Sequence, residues 1–157
     1  MLLTITMHEY RVTKYDPAKR NEKGWCLDDD WTGFGEVGHK CSLGEYLDVE
    51  NAYLNSAIEF ISNSQITALQ INSIENRSIR CNFEENQLIP VDSLEPILRS
   101  MLREDFFCKL ESDKGFIHVG WDYYMYLGVT EIEQITIDRA IERGLFVEEF
   151  ISPYKDC

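Results

Sequence analysis

The chain of 157 residues is long enough for one domain with a substantial core, since 44% of its residues are apolar and it holds eight Tyr, eight Phe and three Trp. This composition excludes wholesale disorder, which requires low hydrophobicity together with high net charge. Fifteen basic and 28 acidic side chains give a formal net charge of −13, which repels phosphate backbones and anionic membrane surfaces, so neither nucleic acid nor a membrane is an expected direct ligand.

The first part of the chain predicts a strand followed by a long loop. Residues 2–15 are rich in β-branched and aromatic residues, and Asp16-Pro17 ends the run, which is typical of a strand. Residues 18–38 contain four glycines and three consecutive aspartates, a composition too polar and too flexible for a regular element. Loops of this length in compact domains usually serve function.

Two helices and a hairpin are predicted next. Ser42 and Glu45 have the spacing of a capping box, so a first helix should run from there to about Ser62, with one apolar stripe. Residues 66–73 and 77–83 alternate partly and predict a short hairpin. A second helix is expected over 92–103, with Pro96 in its first turn, because proline deeper inside would remove a hydrogen bond.

The remaining elements complete an α+β pattern. Residues 105–111 and 116–128 predict strands around a Ser112–Gly115 turn, where glycine is expected to adopt a positive φ. A second capping box, Thr130 to Glu133, predicts a third helix that ends at Gly144, and residues 145–151 predict a last strand. The order is β–loop–α–β–β–α–β–β–α–β, which indicates a single α+β domain with a mainly antiparallel sheet and about three helices.

The segment 116–128 is sorted into two faces by the two-residue period of a strand. The face assigned to the core carries Ile117, Val119, Trp121, Tyr123, Met125 and Leu127. The opposite face carries Phe116, His118, Gly120, Asp122, Tyr124 and Tyr126. The opposite face is either a layer covered by a helix, which we favour slightly, or an open surface suited to recognition, because tyrosine is enriched at interface hot spots.

No chemical motif is evident. His8, His39 and His118 are candidates for acid–base chemistry, but nothing in the sequence brings two of them together. The run Asp28 to Asp30 offers hard oxygen ligands without the alternating spacing of a calcium loop. We therefore predict no catalytic residue, no metal and no cofactor. The amino-terminal stretch lacks a basic n-region, and no window approaches a membrane span, so the expected compartment is the cytoplasm.

The first 60 residues carry a family resemblance. It rests on MHEYRVTKYDP, then Arg20, Gly24, Asp30-Trp31-Thr32 and Gly38, and then LGEYLDVENAYLNSAIEFI. The stretch over residues 7–61 resembles small bacterial proteins, some of which are immunity proteins encoded beside polymorphic or contact-dependent growth inhibition toxins. The resemblance implies a cognate inhibitor of a toxin domain, with nuclease activity as one candidate for the toxin.

The charge distribution agrees with this implication, because an acidic surface attracts a basic nuclease and can block its site. The hypothesis is an immunity protein that binds a basic toxin domain. Its candidate partner-binding residues are Asp28, Asp29, Asp30, Trp31, Glu36, Asp122, Tyr124 and Tyr126. For Trp31, an exposed anchor and a core residue are equally supported alternatives. The alternative functions are a small hydrolase or nuclease that uses histidine chemistry, and an adaptor without catalysis.

The five cysteines are odd in number, widely spaced and without a C-x-x-C pair, so we expect reduced thiols that do not support the fold. Thiol titration of the denatured, unreduced protein should count five free groups per chain. A lower count would show that a disulfide forms.

Overall fold

The computed structural model describes residues 6–20 and 30–155. It shows a single α+β domain in which three helices pack on one face of a seven-stranded antiparallel sheet, which confirms the predicted fold class. The strands are β1 (His8–Thr13), β2 (Ala68–Glu75), β3 (Leu88–Pro90), β4 (Phe107–Ser112), β5 (Gly115–Val119), β6 (Met125–Val129) and β7 (Phe146–Glu149). The helices are α1 (Leu43–Asn63), α2 (Leu94–Leu102) and α3 (Gln134–Glu142). The strand order is β3-β2-β4-β5-β6-β1-β7.

The face of the sheet under the helices forms the main core. Strand register places Val12, Met125 and Val119 in one row across β1, β6 and β5, and all three are buried. Tyr10 meets Phe60 of α1 edge to face, with ring centroids 5.8 Å apart. The long helix α1 therefore closes the centre of this layer.

The opposite face of the sheet is covered by residues 150–155, an irregular stretch that ends in a turn. The ring of Tyr126 lies 5.8 Å from both Phe150 and Tyr154, measured between centroids. The Ser152 hydroxyl lies 2.7 Å from Nδ1 of His118. The layer is thus covered rather than open, although its cover is this irregular segment and not the helix that we favoured.

The prediction of one strand over residues 116–128 is wrong. The segment forms two strands, β5 and β6, which pair with each other in antiparallel register. The chain reverses through a tight turn at Trp121–Tyr123, where Asp122 and Tyr123 have φ values of 59° and 66°. Alternation therefore breaks at the turn, and Trp121, assigned to the core from the pattern, is 55% exposed.

Two further predicted boundaries are corrected. Residues 77–83 form no strand, because β2 pairs with β3 across a longer loop. Helix α3 begins at Gln134 and not at the capping box of Thr130, whose amide donates instead to the Lys114 carbonyl at 3.0 Å. The helix does end as predicted, with Gly144 at φ 93°.

Other local predictions are confirmed. In α1, Ser42 accepts from the Glu45 amide and the Glu45 carboxylate accepts from the Ser42 amide. Pro96 lies in the first turn of α2. The predicted hairpin is present, since Ser112 pairs with Gly115 between β4 and β5. The expected positive φ at Gly115 is wrong. Glycine is needed there for space, since a Cβ would stand 2.6 Å from the Gly128 carbonyl oxygen.

A buried carboxylate ties α1 to α2 and to the sheet. The Glu50 side chain is fully buried and accepts from Nε and Nη2 of Arg103 at 2.8 and 2.9 Å, and from Arg99. The Tyr46 hydroxyl donates to Glu50 at 2.5 Å, and the Tyr123 hydroxyl donates to Tyr46 at 2.6 Å. Each oxygen of the carboxylate is therefore satisfied by charged or hydroxyl donors.

Replacing Glu50 by Ala should lower the free energy of unfolding by about 3 kcal/mol, the lower end of the range for breaking a buried ion pair, because both arginines can still reach water. Glu95→Ala is the matched control, since Glu95 pairs with the same Arg99 on the surface of α2 at 2.7 Å and its loss should cost about 0.5 kcal/mol or less. Urea denaturation measures both. Equal losses would mean that Glu50 is no more than a surface partner.

Candidate functional site

The turn between β5 and β6 has an unusual backbone for its residues. The Tyr124 amide donates to the Trp121 carbonyl at 3.3 Å, and the Gly120 amide donates to the Tyr124 carbonyl at 2.8 Å. Its two central residues, Asp122 and Tyr123, both have positive φ, a conformation that normally requires glycine or asparagine at such positions. A bulky residue such as Tyr123 is held there only when its surroundings compensate.

The surroundings of Tyr123 are a cluster of aromatic rings. Its ring centroid lies 5.0 Å from Trp31, 5.9 Å from Tyr46 and 4.8 Å from Tyr53. The Tyr53 hydroxyl also donates to the Tyr123 carbonyl at 2.9 Å. Burial is the main cause that raises the pKa of the Tyr123 phenol, which therefore remains a neutral donor to Tyr46.

The turn presents Trp121 and Asp122 to solvent, and we call these two residues the Trp121 turn. The indole of Trp121 packs on Phe107 with centroids 4.6 Å apart and remains 55% exposed. The carboxylate of Glu104, in the exposed turn after α2, lies close to the backbone and the side chain of Asp122. Partial burial, and then the nearby charge of Asp122, raise the pKa of Glu104.

Residues 30–33 lie beside this turn. A Cβ on Gly33 would stand 3.9 Å from Oε1 of Glu104, and Trp31 contacts Tyr123. Asp30 pairs with Lys14 at 2.5 Å, and the Asp30 side chain is 45% exposed. We call the carboxylates of Asp30, Glu104 and Asp122 the acidic rim.

Trp31 itself is a core residue. It is 5% exposed, its centroid lies 5.2 Å from that of Tyr46, and Nζ of Lys14 sits 4.0 Å from its ring centroid. Of the two alternatives from the sequence, the exposed anchor is thus wrong. The ring is buried because it packs between Tyr46 and Tyr123, and this packing supports the turn at Tyr123.

The other candidates divide between structural and accessible positions. Glu36 folds its own loop, since it accepts from the Thr32 amide and lies 3.8 Å from Nζ of Lys40. Tyr124 is half-buried and stacks on Tyr15 with centroids 5.2 Å apart. Tyr126 is 6% exposed under segment 150–155 and cannot contact a partner while that segment is in place. Asp28 and Asp29 lie outside the described residues.

Sequence reasoning missed Trp121 and Glu104. Trp121 was placed in the core by a strand period that continues through an undetected turn. The signals for that turn are Gly120, an isolated glycine in a strand pattern, and Asp122, which tolerates a positive φ better than most residues. Glu104 follows α2 at φ 64° and is distant from Asp122 in sequence, so no local pattern could join them.

The histidines do not form an acid–base pair in one cleft. His8 and His39 are exposed, and His8 and His118 line different cavities. His118 is 1% exposed between Ser152, 2.7 Å from Nδ1, and Glu111, 3.1 Å from Nε2. Neutral His118 with its proton on Nε2 donates to Glu111 and accepts from Ser152, whose oxygen also accepts from the Tyr154 amide at 3.2 Å.

The hydrogen bonds that join Glu111, His118 and Ser152 hold segment 150–155 against the sheet. The Ser152 hydroxyl is not an accessible nucleophile, because Ser152 is only 3% exposed. Within residues 6–20 and 30–155, no group of three or more His, Cys, Asp or Glu side chains could hold a metal ion. Three of the cysteines, Cys41, Cys81 and Cys108, are buried free thiols. Cys26 and Cys157 lie outside the described residues.

No family model, curated protein or solved structure matches the chain. Among the described helices, none combines the length and apolar character needed to cross a membrane.

The buried His118, hydrogen-bonded to Ser152 and Glu111, should make the stability of the fold depend on pH. Burial lowers the pKa of His118 below its ordinary value of 6.5, so protons bind the unfolded chain more readily and stability should fall as pH drops below that value. His118→Gln should flatten this part of the stability profile, whereas His8→Gln, at an exposed position, should leave it unchanged. Denaturation between pH 5 and 8 measures the profiles, and parallel curves for the parent and His118→Gln would refute the assignment.

Proposed function

We propose that the chain is an immunity protein that binds and neutralises a basic toxin domain with the end of the molecule formed by the Trp121 turn and the acidic rim. The observation that carries the proposal is an exposed indole among carboxylates, on a turn whose conformation is held by buried rings. An aromatic anchor of this kind is typical of an interface hot spot.

Rigidity of the turn supports binding. The carbonyl of Asp122 accepts from the Tyr15 hydroxyl at 2.6 Å, and the neighbouring Tyr123 is held by Tyr53 and Tyr46. A surface that is already ordered loses little conformational entropy when a partner docks. The Trp121 turn therefore suits recognition better than a mobile loop of the same composition.

Charge on the acidic rim supports the choice of partner. No basic side chain within residues 6–20 or 30–155 forms an ion pair with Glu104 or Asp122, so their charge faces solvent uncompensated. The whole chain carries −13. Such a field speeds association with a basic protein and opposes binding to nucleic acid. Nuclease toxins are basic where they hold their substrate, and an acidic inhibitor can occupy that surface.

The first test is genetic. A reading frame immediately upstream of the gene should encode a toxin domain, and co-expression of this chain should restore growth of cells that express the domain. If the upstream frame encodes no toxin, or if its toxin kills equally fast with and without this chain, the proposal is wrong.

The second test locates the interface by binding kinetics with that toxin domain. Trp121→Ala should raise the dissociation rate about 30-fold, which corresponds to about 2 kcal/mol at a hot spot. Glu104→Gln with Asp122→Asn should instead slow association and flatten its dependence on salt.

The matched controls are Ile135→Ala, which removes a half-exposed apolar side chain on α3, and Glu142→Gln, which removes an exposed charge there. Neither control should change the kinetics. Thermal melts of all variants separate lost binding from lost folding, since Trp121 and the two carboxylates are exposed. Unchanged kinetics for the turn and rim variants would exclude this surface as the interface.

A further inference from the structure

A cleft opens beside Trp121 on the face of the sheet away from the helices. It lies where the register between β2 and β4 shifts between Asn72 and Glu75, and its volume is about 180 Å³. Rings of Phe107, Trp121 and Tyr154 line it, together with the polar residues Ser73, Glu75 and Lys109. The cleft therefore adjoins the proposed binding surface directly.

The size of the cleft limits its occupant. Its 180 Å³ corresponds to about six water molecules at about 30 Å³ each. Sites for drug-sized ligands and cofactors run from about 300 to 1,000 Å³. The cleft accordingly fits one side chain of a protein better than a drug-sized ligand or a cofactor.

The chemistry of the lining favours a cation. Glu75 is exposed, and within the described parts of the chain no basic group forms an ion pair with its carboxylate. The exposed indole of Trp121 offers a π surface, the best of the aromatic side chains for a cation. The positive charge of Lys109 is opposed by Glu111, two residues away on the same strand. Burial acts to raise the pKa of Glu111, but hydrogen bonds with Asn72 and His118 and the charges of His118 and Lys109 together lower it.

The molecule already uses this combination inside its own fold. The guanidinium of Arg11 lies 3.9 Å from the ring centroid of Phe150, while its Nε is 3.2 Å from the Glu148 carboxylate. Arg103 likewise sits 4.4 Å from the centroid of Phe34 while it pairs with Glu50. An aromatic ring with a carboxylate beside it thus holds two arginines of this protein, Arg11 and Arg103.

We infer that the cleft receives an arginine side chain of the bound partner, whose guanidinium stacks on Trp121 and pairs with Glu75. This inference rests on the proposed function and specifies the chemistry of the toxin's contact. Arginine suits the site better than lysine, because a planar guanidinium stacks on a ring and bonds a carboxylate through two parallel N–H groups, whereas an ammonium is a compact, strongly hydrated charge.

The test uses a model ligand and needs no toxin. N-acetyl-L-arginine amide is titrated into the full chain while NMR follows the indole N–H signals of the three tryptophans, with Trp121 assigned from the spectrum of Trp121→Phe. The Trp121 signal should shift in a saturable manner. The matching citrulline amide, which has the same shape without charge, should produce little shift, and the lysine amide should bind more weakly.

Glu75→Gln should raise the dissociation constant of the arginine probe about fivefold, as expected for one partly exposed charge pair. Glu142→Gln, with the same change in charge on α3, should leave it unchanged. A phenylalanine amide that shifts Trp121 more strongly than the arginine probe, or citrulline and arginine probes that act equally, would overturn the inference. So would the absence of a saturable shift.

Failure of this inference and failure of the proposed function are distinguishable. Toxin binding that is weakened by Trp121→Ala but unaffected by Glu75→Gln would overturn the arginine contact alone. Saturable binding of the arginine probe, sensitive to Glu75→Gln, would support the cleft even if the upstream frame encodes no toxin.

Discussion

The fully buried carboxylate of Glu50 is the constraint on which the candidate site depends. An isolated charge at this depth would be strongly unfavourable, so two arginines of the α2 region and the Tyr46 hydroxyl must converge on it. Because Tyr46 is thereby fixed, its oxygen can accept from Tyr123, and Tyr123 can be held at a positive φ. The chain of contacts from Glu50 to the turn links an interior charge to the orientation of Trp121 on the surface.

Much of the fold could be predicted because its signals are local. The capping box of α1 involves residues three positions apart, and the hairpin around Ser112 depends on a short turn. The β5–β6 turn could not be predicted in this way, since its conformation is imposed by rings from other parts of the chain. Thr130 shows the same limit, because its capping box is overridden by a backbone hydrogen bond to Lys114. Local propensity yields to tertiary contacts in both places.

The residue types of the candidate site are evident from the sequence, whereas its geometry is not. Net charge predicts a basic partner without any knowledge of the fold, and this stays a prediction; Asp30 and Asp122 lie at the same end of the molecule. Which tryptophan is exposed, however, depends on how α1, the loop after Asp30 and the β5–β6 turn pack together. Trp31 fills the space beside Tyr46, and Trp121 is turned outward. Residue type alone cannot distinguish a buried tryptophan from an exposed one.

The two faces of the sheet are closed by elements of very different length. One is covered by helices that include the 21 residues of α1, and the other by segment 150–155, held by Ser152, by the Phe150 and Tyr154 rings, and by an ion pair between Lys155 and Glu9 at 2.9 Å. A cover of six residues outside the helices and strands can open locally without unfolding the sheet, since local openings cost less free energy than global unfolding. Amide hydrogens beneath α1 should consequently exchange only through global unfolding, whereas those of residues 150–155 should exchange through a cheaper, local opening. We therefore expect two units of cooperativity within one domain, the helix-covered sheet and segment 150–155, with the boundary between them at the face of the sheet that the segment covers.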